Sequence, residues 1–296
     1  MSELYTLQRF LLMTLDPLHI GTGGYRLGRV DLSIVREPGT NLPKIPGTSL
    51  SGAARSYAAM QYKKIQCAGQ KGHCGQKNCP ICYTFGSIRG SGGGNAGTVS
   101  ISDARLLLFP VHSMVGPVWV TSPSALRDFR AKGEVSVADD KACWPNGLSQ
   151  NPQLNFGWLM LERESEWSLR NVPEVPEEVQ NRAVLVSDKL FSHIVNSNLE
   201  VRTSVSIDPT TGAAEEGALF TYEALPRATF LWCDVVEDDY RREFPTSDAQ
   251  AQQFEHTRPL DVVNAGFALA EYLGIGGMGT RGFGRVRFME VGNAKS

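Results

Sequence analysis

The stretch Gly274-Ile-Gly-Gly-Met-Gly-Thr-Arg-Gly-Phe-Gly-Arg-Val-Arg-Phe288 separates two opposite periodicities. Upstream, Asp261 to Leu273 carries apolar residues at helical spacing (Val263, Phe267, Ala270); downstream, Gly284 to Val291 alternates as a strand does. Gly274, Gly276 and Gly279 satisfy G-x-G-x-x-G, but a dinucleotide fold places that fingerprint after a strand and before a helix. Here the order is reversed, so the chain must end as helix, glycine loop and strand. Glycines let backbone amides approach a ligand closely, and Arg281, Arg285 and Arg287 add forked donors that suit phosphate. The expected ligand is a polyanion rather than a nicotinamide cofactor.

A second constraint is the cysteine spacing. Four of the six cysteines crowd together as Cys67-x6-Cys74-x4-Cys79-x2-Cys82, while Cys143 and Cys233 stand alone. Four soft ligands at short spacing suit tetrahedral zinc, and the Cys79-Pro-Ile-Cys82 knuckle is the most specific part. Four sulfurs leave no open coordination position, so the expected metal is structural; His73, next to Cys74, is the alternative ligand. No apolar run reaches the ~18 residues a membrane span needs, and no secretory leader pattern opens the chain, so a cytoplasmic, reducing address is expected.

The net charge of −2 hides a segregation: from Pro38 to Ser102 there is no acid, against Lys44, Arg55, Lys63, Lys64, Lys71, Lys77 and Arg89. That sector reads as a face for polyanions. Pro46-Gly47-Thr48-Ser49 opens a helix with apolar positions at Leu50, Ala53, Ala54, Tyr57, Ala58 and Ile65. Thr48 or Ser49 can cap it, and with Ser51 and Arg55 its start is a candidate phosphate site. Strands are expected at 7–15, 99–109, 183–186, 199–207, 218–222 and 229–236, a helix at 122–130, and a long loop system over 132–176. The class is α+β, a sheet with helices on one face. Asp31, after the glycine turn of Gly21 to Gly24, is a lone carboxylate ahead of the basic sector, suited to holding a cation or handling a proton.

Taken in order, His19-Ile-Gly-Thr-Gly23, Gly28-Arg-Val-Asp-Leu32, Ile45-Pro-Gly-Thr-Ser-Leu-Ser-Gly52, Cys82-Tyr-Thr-Phe-Gly-Ser87, Leu108-Phe-Pro-Val111, Val120-Thr-Ser-Pro123, Gly217-Ala-Leu-Phe220 and the glycine tail form a pattern. Nearly end to end, the chain resembles the RAMP superfamily of CRISPR proteins, and within it the repeating backbone subunit of type III effector complexes. The resemblance is to the Cmr type, with a cysteine insertion more like the Csm type. It implies one elaborated domain over 1–296: a ferredoxin-like, RRM-related core with a zinc-binding insertion at 66–97, a further insertion or loop region at 131–182, and a thumb-like hairpin at 203–218 beside the C-terminal glycine-rich loop.

By the same resemblance, Ser49, Ser51, Arg55, Gly277, Met278, Gly279, Thr280 and Arg281 grip the CRISPR guide RNA. Asp31 is implied as the catalytic residue of an endoribonuclease that cuts complementary target RNA with Mg²⁺ or a similar divalent ion. Copies of the chain would stack in a filament with other type III effector subunits. Two alternatives stay open: a catalytically silent scaffold of the same family, and a guide-processing ribonuclease.

Overall fold

The computed structural model describes residues 5–23, 30–69, 72–88, 94–129, 135–170, 172–205, 207–214 and 219–292. In chain order the elements begin with β1 (Thr6–Thr14), α1 (Gly47–Gln61), α2 (Pro80–Phe85), β2 (Val99–Ile101), β3 (Arg105–Ser113), β4 (Gly116–Thr121) and α3 (Pro123–Phe129). Next come β5 (Lys141–Cys143), β6 (Gln153–Phe156), β7 (Leu159–Arg163), α4 (Glu177–Gln180), β8 (Ala183–Val186) and α5 (Asp188–Ser197). The chain closes with β9 (Glu200–Ser204), β10 (Phe220–Ala224), β11 (Phe230–Glu237), α6 (Ala249–Gln253), α7 (Pro259–Leu273) and β12 (Val286–Val291).

Among the described residues one large sheet runs β12-β1-β11-β3-β4-β8-β5-β7-β6, with β2 pairing β11 beside this path, while β9 and β10 form a separate ribbon. Pairing is antiparallel except at β4 with β8 and β5 with β7. The mixed α+β class is as expected. β1 lies between β12 and β11, and its residues alternate between two cores: Phe10 and Leu12 face the cluster holding Leu50 and Phe267, whereas Leu11 joins Phe129 and Trp232 on the other side. A strand buried on both faces reads as a continuous apolar run, as Phe10-Leu-Leu-Met13 does.

α1 and α7 pack against each other very closely. At Gly266 an added Cβ would lie 2.2 Å from the Ala54 carbonyl oxygen, and that atom belongs to a helix backbone that cannot step aside. Gly266→Ala is therefore expected to destabilise the fold by about 1–3 kcal/mol, read as a lower urea midpoint at unchanged slope.

Two local expectations change. Pro46 is the residue at the cap of α1 and gives no side-chain cap; Asp103 supplies the missing acceptor from the β2–β3 connection, its Oδ1 taking the Gly47 amide at 2.8 Å. The chain near 99–109 accordingly breaks into two strands around Asp103. The segment 132–176 is not wholly loop: β5, β6 and β7 extend the sheet beyond β8. Strands of three to five residues bounded by turn residues carry too little alternation to be legible alone. α5 also escaped the periodicity; Ser187 caps it, its Oγ accepting from the Leu190 amide.

Candidate nucleic-acid interface and metal centre

α7 ends at Gly274, whose φ of 75° lies in the left-handed region, and the chain turns back over the start of α1. Between them is a groove of about 400 Å³, lined from α1 by Thr48, Ser49, Gly52, Ala53, Ser56 and Tyr57, and from the loop by Gly274, Ile275, Gly276, Gly279 and Phe283. The Tyr57 hydroxyl donates to the Gly274 carbonyl and ties the two walls together. Gly276 has no room for a side chain, since a Cβ there would meet the His19 carbonyl oxygen at 2.6 Å and Ile20 Cδ1 at 2.5 Å. Gly279 faces open space, and a Cβ on Gly277 would make only an ordinary contact of 3.5 Å with the His19 ring.

The expected loop residues divide in role. Gly277 donates its amide to the His19 carbonyl (3.0 Å), so that donor is already used. Met278 is held at φ 64° with its side chain against Tyr222, Ala224 and Phe283, and it opens the turn Gly279–Arg281. Gly279, Thr280 and Arg281 are exposed. Arg281 sits 5.3 Å over the Phe220 ring and makes a 3.4 Å hydrogen bond to Ser204 Oγ. Its neighbours are committed elsewhere, Arg285 to Asp16 and Arg287 to Glu271, both at 2.6 Å.

Asp31 arrives at the same ribbon from the N-terminal side. Its Oδ2 accepts the Thr221 amide at 2.7 Å and the Thr221 hydroxyl at 2.9 Å, and its own amide donates to Thr221 Oγ1 at 3.1 Å. On β10, then, Phe220 carries Arg281, Thr221 carries Asp31, Tyr222 meets Phe283 and His19 edge-on, and the Glu223 carbonyl accepts from His19 Nδ1 at 2.7 Å. A carbonyl only accepts, so that last bond requires a proton on His19 Nδ1. The Thr221 amide, then its hydroxyl, hold the exposed Asp31 carboxyl below the usual carboxylate range. A group so fully ionised is a poor proton acceptor and a good partner for a cation. Thr221 was not foreseen: it stands 190 residues from Asp31, inside an unremarkable strand.

The four cysteines converge. Their sulfurs all lie within 4.8 Å of one another, with Cys67–Cys79 at 3.8 Å, Cys74–Cys82 at 3.7 Å and Cys67–Cys82 at 3.7 Å. A tetrahedron with zinc–sulfur bonds of about 2.3 Å has edges of about 3.8 Å, so the donor set fits that ion. The thiols share protons unequally. A hydrogen bond to Cys82 pushes the Cys79 thiol up, and the reciprocal bond pulls Cys82 down to about 5. His73 stays apart from the cluster, its Nδ1 accepting from the Ile88 amide. Cys67, Cys79 and Cys82 are buried and pack with Ala58 of α1, Tyr62 just after it, Ala251 of α6 and Val262 of α7.

Three of the seven cations of the acid-free sector are paired or buried rather than free at the surface. Lys44 pairs with Glu37 and Asp103, and Lys64 with Asp248. Arg55 departs furthest from expectation: it is 9% exposed and donates to the carbonyls of Cys67 and Phe85 instead of facing the groove. Helical phase explains this, because Arg55 shares a face with Ala58, Ala59 and Tyr62, which pack on the cysteines; Ser51, one turn earlier, likewise does not line the groove. Lys63 and Lys77 remain exposed, and Lys71 and Arg89 lie outside the described residues. So do Gly24, Gly28, residues 90–93, and Gly217 with its neighbours in the expected thumb; of its described residues, 203–205 and 207–214, the latter stretch is closed by the Ile207–Ala214 bridge.

The RAMP superfamily profile matches residues 11–287, almost the whole described chain. The chain belongs to the RAMP superfamily. Within it, this RAMP protein is 28% identical over 247 residues to the CRISPR system Cmr endoribonuclease Cmr4 of Pyrococcus furiosus, covering 76% of this chain and 79% of that one. It is also 37% identical over 76 residues to the Cms endoribonuclease Csm3 of Methanothermobacter thermautotrophicus, 25% of this chain and 30% of that protein. The fold is shared with crystalline Cmr4 (TM-score 0.63, 21% identity, 97% of this chain and 100% of that one). It is shared too with a chain of the type III-B Cmr-beta complex bound to cognate target RNA (TM-score 0.68, 16% identity, 96% and 97%). Among the described residues of this RAMP chain no helix is long and apolar enough to cross a membrane.

Proposed function

We propose that this chain is a repeating, Cmr-type backbone subunit of a type III CRISPR effector complex, holding guide RNA and cutting complementary target RNA beside Asp31. The observation that carries the reading is that Asp31 and the glycine loop, far apart in sequence, are both anchored on Phe220 to Glu223. Family membership and likeness to Cmr4 support it. The antiparallel order β12-β1-β11-β3, with α1 and α7 on one face, supports a ferredoxin-like, RRM-related core. On that core the stretches 66–97, 131–182 and 203–218 are a zinc-binding insertion, a second insertion and a thumb that wedges into the guide–target duplex. The cellular address is the cytoplasm, and the partners are guide RNA, target RNA, further copies in a filament and other effector subunits.

In this reading the groove holds the guide backbone without reading bases, which pairing does instead. Ser49, Gly279, Thr280 and Arg281 contact phosphates; Gly277 and Met278 shape the loop. At a displaced target nucleotide the 2′-oxygen attacks the adjacent phosphorus as the bond to the 5′-oxygen breaks, leaving a cyclic phosphate and a 5′-hydroxyl. Much of the rate comes from holding those atoms in line. A lone carboxylate beside an RNA phosphate suits Mg²⁺, which takes one or two carboxylates plus phosphate oxygens and would offset charge on the reacting phosphate. Two hydrogen bonds from Thr221 fix the Oδ2 atom of Asp31. Cys67, Cys74, Cys79 and Cys82 would hold Zn²⁺ as a structural centre.

The RNA-binding half is tested at Gly279, where a side chain meets only open space. Gly279→Leu is expected to keep its melting temperature within about 2 °C while weakening guide-RNA binding at least tenfold, measured by filter binding and by sizing of RNA-dependent assemblies. Assembly equal to that of the parent chain would remove the loop from the RNA track.

A further inference from the structure

Arg55 is a buried cation without a carboxylate. Its Nε donates to the Cys67 carbonyl at 2.7 Å and its Nη1 to the Phe85 carbonyl at 3.2 Å, while the buried Nη2 has no partner among the described residues. Carbonyl oxygens satisfy hydrogen bonds but do not balance charge. An uncompensated buried guanidinium is strongly unfavourable, so an anion is required close by. Among the described residues no acidic side chain forms an ion pair with it, and the surrounding sequence from Pro38 to Ser102 contains no acid at all.

What does surround Arg55 is the cysteine loop. Cys67, whose carbonyl it holds, is the first sulfur ligand in sequence, and Phe85 lies one helical turn beyond the last, Cys82. Gly69 closes over its side chain, a Cβ at that glycine falling 3.8 Å from Arg55 Cδ. Burial lowers the Arg55 pKa, and the charges of Cys82, Cys67, Cys79 and Cys74 oppose that shift. Four thiolates around one divalent ion carry a formal charge of −2, which is itself costly to bury.

We infer that Arg55 is the internal counter-ion of the cysteine metal centre, its guanidinium offsetting half of the centre's net −2 charge while its fork holds the backbone at Cys67 and Phe85. This rests on reading the four cysteines as a metal site. It gives the α1 arginine a positioning role in place of a phosphate contact. The arrangement also joins the two sites mechanically: Ser56, the next residue, donates to the Ala68 carbonyl, and Tyr57 holds Gly274 at the groove.

The test uses Co²⁺ as the probe, titrated into the purified full-length chain against a competing chelator. Wild type is expected to take up one equivalent with the absorption bands of a tetrahedral sulfur site. Arg55→Gln should keep those bands and lose affinity by about 10–100-fold, and Arg55→Lys, which keeps the charge without the fork, should recover most of that loss. In a Cys74→His background the centre carries only −1, so the Arg55→Gln loss should shrink severalfold, a coupling that a purely structural arginine would not produce. Cobalt binding by Arg55→Gln as tight as wild type overturns the inference, and reduced RNA binding by that variant would then return Arg55 to the RNA track. Equal losses in the Gln and Lys variants, or a loss unaltered by Cys74→His, also overturn it. Failure of the wild-type chain to bind Co²⁺ at all would instead remove the metal centre itself.

Discussion

Asp31→Ala is expected to lower target-RNA cleavage by at least about 100-fold in a reconstituted complex, with guide binding, assembly and target binding held within about twofold. The separation follows from where Asp31 stands. It is exposed, its hydrogen-bond partner on another element among the described residues is Thr221, and it belongs to no buried cluster of those residues, so its loss is expected to leave the fold intact. Thr221→Val should have a smaller effect of the same kind, because one of the carboxylate's two anchors, the backbone amide, remains. The pH dependence has a definite sign. The Asp31 pKa is depressed in the folded chain, so the favourable contribution of its ionised form is complete above the unfolded carboxylate pKa and is lost as pH falls through the lower folded value. With the group fully exposed, that loss belongs to cleavage rather than to stability. The acid limb of the cleavage profile should therefore lie below the usual carboxylate range. A cleavage rate for Asp31→Ala equal to that of the parent complex would point to a silent scaffold.

The parts of this chain that sequence could convey are those carried by local periodicity or by close spacing. α1 and α7, the strands β1, β11 and β12, and the four cysteines were all legible because each signal lies within one element or one short loop. Features built by distant pairs were not. Nothing near Thr221 announces Asp31, and nothing near Asp103 announces that it takes the Gly47 amide in place of a Thr or Ser cap. Charge misled for the same reason. A run of 65 residues without acid reads as a basic face, yet folding brings Glu37 and Asp103 against Lys44 and Asp248 against Lys64, and buries Arg55. Sequence segregation of charge describes the unfolded chain; the field of the folded surface depends on which distant groups are returned to it.

Cys79→Ser should be the most damaging single substitution away from the groove. Cys79 is fully buried among Tyr62, Ile81, Ala251 and Val262, and in the metal-bound chain its sulfur would be one of four ligands. Loss of one ligand would remove much of the metal's contribution to folding and leave three thiols facing a site with no cation. A destabilisation of about 3–5 kcal/mol, equivalent to a melting temperature lower by about 10 °C, is expected, together with loss of stoichiometric zinc by elemental analysis. Chelation of the parent chain should give the same shift, whereas Cys143→Ser, outside the cluster, should keep its zinc. The damage should also reach the RNA track, because the cysteine module packs on α1 and α7, the two helices that position the groove walls. Guide-RNA binding by the zinc-depleted chain should therefore weaken even at temperatures where it remains folded. A depleted chain that melts within about 2 °C of the loaded one would confine the cysteines to packing, and the groove would then owe its shape to the α1–α7 contact at Gly266 and Ala54 alone.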